Sequence, residues 1–319
     1  MTSSSGAILR EPRLRINRHR RLCLSITTVL VALSVLGLAL SWISPIGAPL
    51  KPGLDFTGGT AIQVERNCGE SCAELSVQEV QEALPAPAVV QLLDAGQAIS
   101  VRSSALSPAK SGAFVDALEQ VAGPLITTDT QINTIGPVLG KQLLTSSVLA
   151  LSVSFAAVAL YISARYARLY AALALLALAH DVLITSGLFA WLGLLAGIEV
   201  NSLFAVALLT LAGYSVNDTV VVFDRIREQQ RLLPDLSVEE QVDRAVDGTL
   251  TRSIYTSLST EIPILSLILF GGESLQWFAV ALFVGIAVGA WSSVAVVPPL
   301  LPLMGGRLPQ RTATSGVAA

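Results

Sequence analysis

The sequence predicts a polytopic α-helical membrane protein with six transmembrane helices and a small α+β ferredoxin-like extracytoplasmic domain. Three observations predict it. Of the 319 residues, 52% are apolar and only 13% charged, about half the charge of an ordinary soluble domain. Six apolar stretches are each long enough to cross a bilayer as a helix. One block, residues 44–140, departs from this pattern, with ten acidic against four basic residues and short alternating segments. The net charge of -3 leaves partners open, and no region is basic and aromatic enough to bind nucleic acid.

Residues 1–21 form a basic N-terminus, with Arg10, Arg13, Arg15, Arg18, Arg20 and Arg21 against Glu11. The apolar run 22–43 is too long for the core of a signal peptide, and no small-residue cleavage site follows it. It reads as an uncleaved first span. Within 44–140, Thr60–Glu65 alternates like a half-buried strand. Leu75–Leu84 has a helical stripe, and Ala88–Leu93 and Ile99–Ser103 read as strands around a turn. Phe114–Val121 reads as a second helix and Asp129–Ile135 as a last strand. The order strand, helix, strand, strand, helix, strand is that of a ferredoxin-like fold.

Residues 141–303 hold five more spans, near Leu143–Ile162, Leu169–Gly193, Leu203–Phe223, Ile254–Phe270 and Trp277–Leu300, before a tail at 304–319. The linkers 163–168 and 224–252 and the tail carry arginines. The alternate linkers 194–202 and 271–276 carry no lysine or arginine. By the positive-inside rule both termini face the cytoplasm and 44–140 lies outside. In the 224–252 loop, Ser237 precedes Val238-Glu239-Glu240, a capping-box signature, so a surface helix across the inner ends of the bundle is expected. Gly285, Gly289 and Ser293 recur at four-residue spacing, which lets helices approach closely. Pro298, Pro299 and Pro302 are expected to end regular helix.

Charged groups inside the apolar runs are the candidate site, because a carboxylate there is costly. Asp218 lies roughly 8 Å inside its span, flanked by Asn217 and Thr219. Arg252 begins the next span from the same side, with Thr256 and Ser259 above it. A proton-exchanging Asp218 modulated by Arg252 and a permanent salt bridge between two helices both fit. His180-Asp181 in the third span fits a helix-packing pair or a relay. Glu261, roughly 13 Å from Arg252 along its helix, fits a second proton site, a neutral carboxyl or a residue facing a wet cavity. Pro263 beside it predicts a kink. Cys68 and Cys72 lie on the oxidising side of this topology, where a disulfide closing their short loop is expected. A metal site would need ligands that the local sequence does not show.

No phosphate-binding loop appears. Gly58-Gly59 reads as a tight turn into a strand. Neither cofactor nor resident metal is expected, and any work must draw on an ion gradient or a partner.

Longer motifs carry a resemblance. They are Gly53-Leu-Asp-Phe-Thr-Gly-Gly-Thr60, Ile135-Gly-Pro-Val-Leu-Gly140, Gly213–Glu228 (Gly-Tyr-Ser-Val-Asn-Asp-Thr-Val-Val-Val-Phe-Asp-Arg-Ile-Arg-Glu), Arg252-Ser-Ile-Tyr-Thr-Ser-Leu-Ser259 and Gly271-Gly-Glu273. With these the chain resembles, over nearly its whole length, the SecF family of the SecDF complex, within the resistance–nodulation–division transporter superfamily. The resemblance implies a non-enzymatic subunit in the bacterial inner membrane. It would use the proton-motive force to assist preprotein export through the SecYEG translocon, beyond the stage driven by SecA. It implies a SecD-like partner, contacts with YajC and YidC, and an essential charged pair at Asp218 and Arg252. Glu261, Pro263 and the Cys68/Cys72 pair are not part of the family pattern. A proton-coupled exporter half for small molecules or lipids, and a non-transporting translocon scaffold, are the competing readings.

Overall fold

The computed structural model describes residues 12–68, 74–93 and 96–305, at 127–129 and 273–274 the backbone alone. Two compact units form, one from Pro52–Leu149 with Glu199–Ser202, the other from the remaining segments.

Among the described residues, the smaller unit has a four-stranded antiparallel sheet with two helices packed on one face. After a one-turn helix α2 (Leu54–Thr57) come β1 (Gly59–Arg66), α3 (Val77–Ala83), β2 (Ala88–Leu93), β3 (Ala98–Ser103), α4 (Pro108–Ala122) and β4 (Leu125–Ile135). Sheet order is β2-β3-β1-β4, the ferredoxin-like arrangement expected from the element order. Alternation places Ile62 and Val64 of β1 and Ile99 and Val101 of β3 on one face. There they pack with Val80, Phe114 and Leu118 from the helices. Ser76 caps α3, accepting from the Glu79 amide at 3.1 Å, while the Ser76 amide donates to Glu79 Oε2 at 3.0 Å. Each satisfies a donor the helix start would leave bare. Arg66 is buried and donates to the carbonyls of Ala122 and Gly96, both at 2.9 Å.

The glycine pair does more than turn the chain. Gly58 and Gly59 have φ of +69° and +128°, and a Cβ on Gly59 would lie 2.6 Å from the Ser103 carbonyl. A Cβ on Gly140 would lie 2.8 Å from the Gly58 nitrogen. The Gly53–Thr60 motif and the Ile135–Gly140 motif therefore meet backbone to backbone. Asp55 extends the junction, accepting from the Ser202 amide at 2.9 Å and from its hydroxyl. Gly53 donates to the Val200 carbonyl at 2.8 Å, and Arg102 pairs with Glu199.

Among the described residues, six helices are long and apolar enough to cross a membrane. They are α1 (Arg20–Ile43, entered through a 3₁₀ turn at Ile16–His19), α5 (Pro137–Arg165), α6 (Arg168–Ala196), α7 (Ser202–Leu232), α8 (Val238–Phe270) and a sixth. The sixth comprises α9 (Glu273–Trp291), a π segment (Ser292–Val296) and α10 (Val297–Leu303). The most apolar windows of α6, α7 and the sixth helix are each 56% buried, against 11% for α8 and none for α5. Those three form the centre of the bundle.

Small residues set the closest approaches. A Cβ on Gly187 of α6 would fall 2.2 Å from Ser34 Cβ of α1. The Trp191 indole, one turn on, donates to the Leu33 carbonyl at 2.9 Å. Gly285 and Gly289 of α9 open the way to α7, with Leu211 and Ser215 as their neighbours.

Two expectations need correction. Ser237 caps a helix as predicted, accepting from the Glu240 amide at 3.2 Å. That helix does not lie separately across the inner ends but runs unbroken from Val238 to Phe270. Val242, Ala245 and Val246 are buried in the bundle core beside Ile16, so packing continues the helix where composition suggested a loop. In the sixth span, the ladder departs from α at Ser292, with the Val297 amide bonding to the Ser292 carbonyl. Pro298 and Pro299 then open α10, where a missing amide costs nothing.

Candidate functional site

Asp218 and Asp181 are buried within the apolar stretches of the bundle. On α7, the 3.6-residue period turns Ser215, Asp218, Thr219 and Val222 inward while Asn217 faces out. Asp218 Oδ1 accepts from the Ser253 hydroxyl of α8 at 2.9 Å. Its Oδ2 accepts from the Ser293 hydroxyl in the π segment. On α6, Asp181 is wholly buried. Its Oδ2 accepts from Ser215 at 2.5 Å and Ser292 at 2.9 Å, and its Oδ1 lies 2.8 Å from His180 Nδ1. The Thr185 hydroxyl donates to the Asp181 carbonyl at 2.8 Å.

The π segment links these sites. An i→i+5 turn adds a residue to the helical ladder, and the adjacent Ser292 and Ser293 inside it serve different carboxylates. Each hydroxyl has a second acceptor. Ser292 lies 3.1 Å from the Gly289 carbonyl and Ser293 lies 3.0 Å from the Ala290 carbonyl. A hydroxyl has one proton to donate and two lone pairs. It can donate to an ionised carboxylate, or accept from a protonated one and donate to its own helix.

Asp218 and Arg252 are not brought together as an ion pair. Ser253 points into the core, and Arg252, one position and about 100° round the helix, is exposed. Thr256 and Ser259 are exposed with it, and their hydroxyls bond within α8. Glu261 is half-buried on the same helix. These polar residues therefore divide: Asp218, Ser253 and Thr219 lie inside the bundle, and Asn217, Arg252, Thr256 and Ser259 lie on its outer surface. Thr219 Oγ1 and His180 Nε2 are buried with no hydrogen-bond partner among the described residues. Cys68 is disulfide-bonded, while Cys72 lies outside the described residues.

At the end of α7, Tyr166 donates to Asp224 Oδ1 at 3.2 Å, with the Arg165 and Arg227 guanidiniums over its ring. Burial and the Asp224 charge push the Tyr166 hydroxyl up to about 12.

Sequence reasoning missed the four serines, Ser215, Ser253, Ser292 and Ser293, as partners of the carboxylates. Their signal was present: each is a hydroxyl within an apolar run, and Ser292-Ser293 continues the Gly285/Gly289 face.

The family described as "Protein export membrane protein SecD/SecF, C-terminal" matches residues 115–307, and the "SecD/SecF GG Motif" matches residues 43–69. The protein translocase subunit SecF of Prochlorococcus marinus is 47% identical over 302 residues, covering 90% of this chain and 94% of the relative. That of Synechocystis sp. is 43% identical over 86% of this chain and 89% of the relative. The crystal structure of Thermus thermophilus SecDF, a translocon-associated membrane protein, superposes with a TM-score of 0.76 at 32% identity. The match covers 94% of this chain and 40% of that longer chain.

Proposed function

The chain belongs to the SecD/SecF family of protein export membrane proteins, and from that premise we propose that it is the SecF-type half of a proton-driven aid to preprotein export. One observation carries the reading. Asp218 is buried in the bundle between two serine hydroxyls, with no cation paired to it among the described residues. A cation held against it would favour the ionised state. Hydroxyls can serve either state, so the carboxylate can load and unload a proton.

A SecD-like subunit supplies the other half. The outer surface of α8, with Arg252, Thr256, Ser259 and Glu261, supports a partner there, since polar groups facing lipid are costly. On this reading Arg252 acts on the proton path from the subunit interface rather than as a fixed lock on Asp218. Both termini face the cytoplasm and the sheet domain faces outward. The arginine distribution supports this, as does the disulfide at Cys68 in an oxidising compartment. SecYEG, with SecA, YajC and YidC around it, is the setting, and the subunit itself makes and breaks no covalent bonds.

The test is completion of preprotein export in inverted membrane vesicles, with and without a proton gradient, for wild type and Asp218→Asn assembled with the SecD-like subunit. Loss of only the gradient-dependent part is the expected result. Wild-type stimulation in the assembled mutant complex would make Asp218 a structural residue.

A further inference from the structure

We propose that the His180–Asp181 pair is a second proton-binding site of the bundle, linked to Asp218 through Ser292 and Ser293. The proposal rests on the reading of Asp218 as a proton-exchanging group and extends it to a part of the core that the reading does not use.

Four features support it. The pair is buried, with the His180 side chain 6% exposed and that of Asp181 fully enclosed. Asp181 is held by three donors, His180 Nδ1, Ser215 and Ser292, a set suited to an ionised carboxylate. Against an ionised Asp181, His180 must donate through Nδ1, so its neutral ring presents Nε2 as an acceptor, and Nε2 has no partner among the described residues. A buried polar atom left unsatisfied costs free energy, so a helix-packing role does not account for it. Finally, Ser215 and Asp218 stand three residues apart on α7, on one face and one turn from each other. The two carboxylates are therefore neighbours.

The proton arrives on His180 Nε2. The Nδ1–H stays bonded to Asp181 Oδ1, and the pair passes from one negative charge to none. No other bond is made or broken. The titratable groups on the apolar stretches around α6 are few. Cys23 lies on α1, Tyr214 and Asp218 on α7, and none lies in the sixth helix from Leu275 to Leu303. Arg20 and Arg21 begin α1. Of these, Asp218 is the one tied to the pair by hydrogen-bonded residues. Neutralising the pair changes the field at Asp218, and it lets Ser292 turn its hydroxyl toward Gly289. Ser293 makes the same choice between Asp218 and Ala290 one residue on, so both carboxylates act on one turn of helix. Such linkage is reciprocal.

The experiment is an infrared pH titration of the assembled complex in liposomes, from about pH 5 to about pH 9, read against a His180→Gln complex. The expected result is an imidazole-to-imidazolium ring signal that His180→Gln removes. In Asp218→Asn its midpoint moves by about one pH unit, a tenfold coupling. Ser292→Ala, which keeps both carboxylates, reduces that displacement. An assembled wild type with no titrating His180 signal overturns the proposal, as does a signal whose midpoint ignores Asp218→Asn. The wild-type arm needs no variant to fold. If the His180 signal titrates while Asp218→Asn retains gradient-stimulated export, the reading of Asp218 fails and the second site stands. If that export is lost and no His180 signal titrates, only the second site fails.

Discussion

Ser292 and Ser293, neighbours in the chain, donate to different buried carboxylates, Asp181 on one helix and Asp218 on another. Truncating Ser293 leaves Asp218 with the Ser253 hydroxyl alone. A hydrogen bond to a charged group contributes about 1.5–3 kcal/mol. Ser293→Ala should therefore impair gradient-stimulated export while Ser293→Thr, which keeps the hydroxyl, retains most of it. Equal export from the two variants would show that the hydroxyl is not what Asp218 uses.

The meeting of Gly58 with Gly140 gives a second prediction. A methyl at Gly140 would sit 2.8 Å from backbone nitrogen and 3.1 Å from the Phe56 carbonyl, and backbone cannot step aside as a flexible side chain can. Gly140→Ala should cost about 1–3 kcal/mol, as overpacking does. Limited proteolysis should then cut faster in the Gly53–Thr60 segment. Unchanged cleavage would mean that the junction relaxes freely.

Acid should loosen the start of α3. The Ser76 amide, then its hydroxyl, bonds to the Glu79 carboxylate and lowers its pKa below the ordinary 4.5. A carboxyl lowered by folding stabilises above its unfolded value and loses that contribution as pH falls through the folded one. Protection of the α3 amides, relative to their intrinsic exchange rates at each pH, should hold above about pH 4.5 and fall below it. Glu79→Gln should flatten this dependence; an unchanged acid response in that variant would assign it to another group.

Within the helical unit, Asp243 of α8 accepts from the Asn17 amide at 3.0 Å and its side-chain nitrogen at 2.9 Å. Asp247 accepts from the Leu14 amide at 3.1 Å. These bonds strap the start of α1 to α8 and keep Ile16 in the core. Asp243→Ala should loosen the strap by about 1–3 kcal/mol, the cost of unpaired donors. Protease access near Asn17 would report it, with Asp243→Asn milder. Equal protection in Asp243→Ala and wild type would show that apolar packing alone holds the segment.

Residues and their periodicity alone determined the six apolar helices, the strand and helix order of the small domain, and Asp218 as a polar residue that an apolar helix must accommodate. These are local properties: a run of about 20 apolar residues or a two-residue alternation is legible wherever it occurs. Only the tertiary structure decided the partners. Arg252 was the natural partner for Asp218 by charge and depth, yet the rotation of α8 turns the adjacent Ser253 inward instead. His180-Asp181 and Asn217-Asp218-Thr219 were visible separately, and Ser292-Ser293 connects them through a π turn that the proline pattern placed too late. The reason is rotational. One residue is about 100° of helix, so a single inserted residue or a small turn of a helix about its axis decides which side chain meets which.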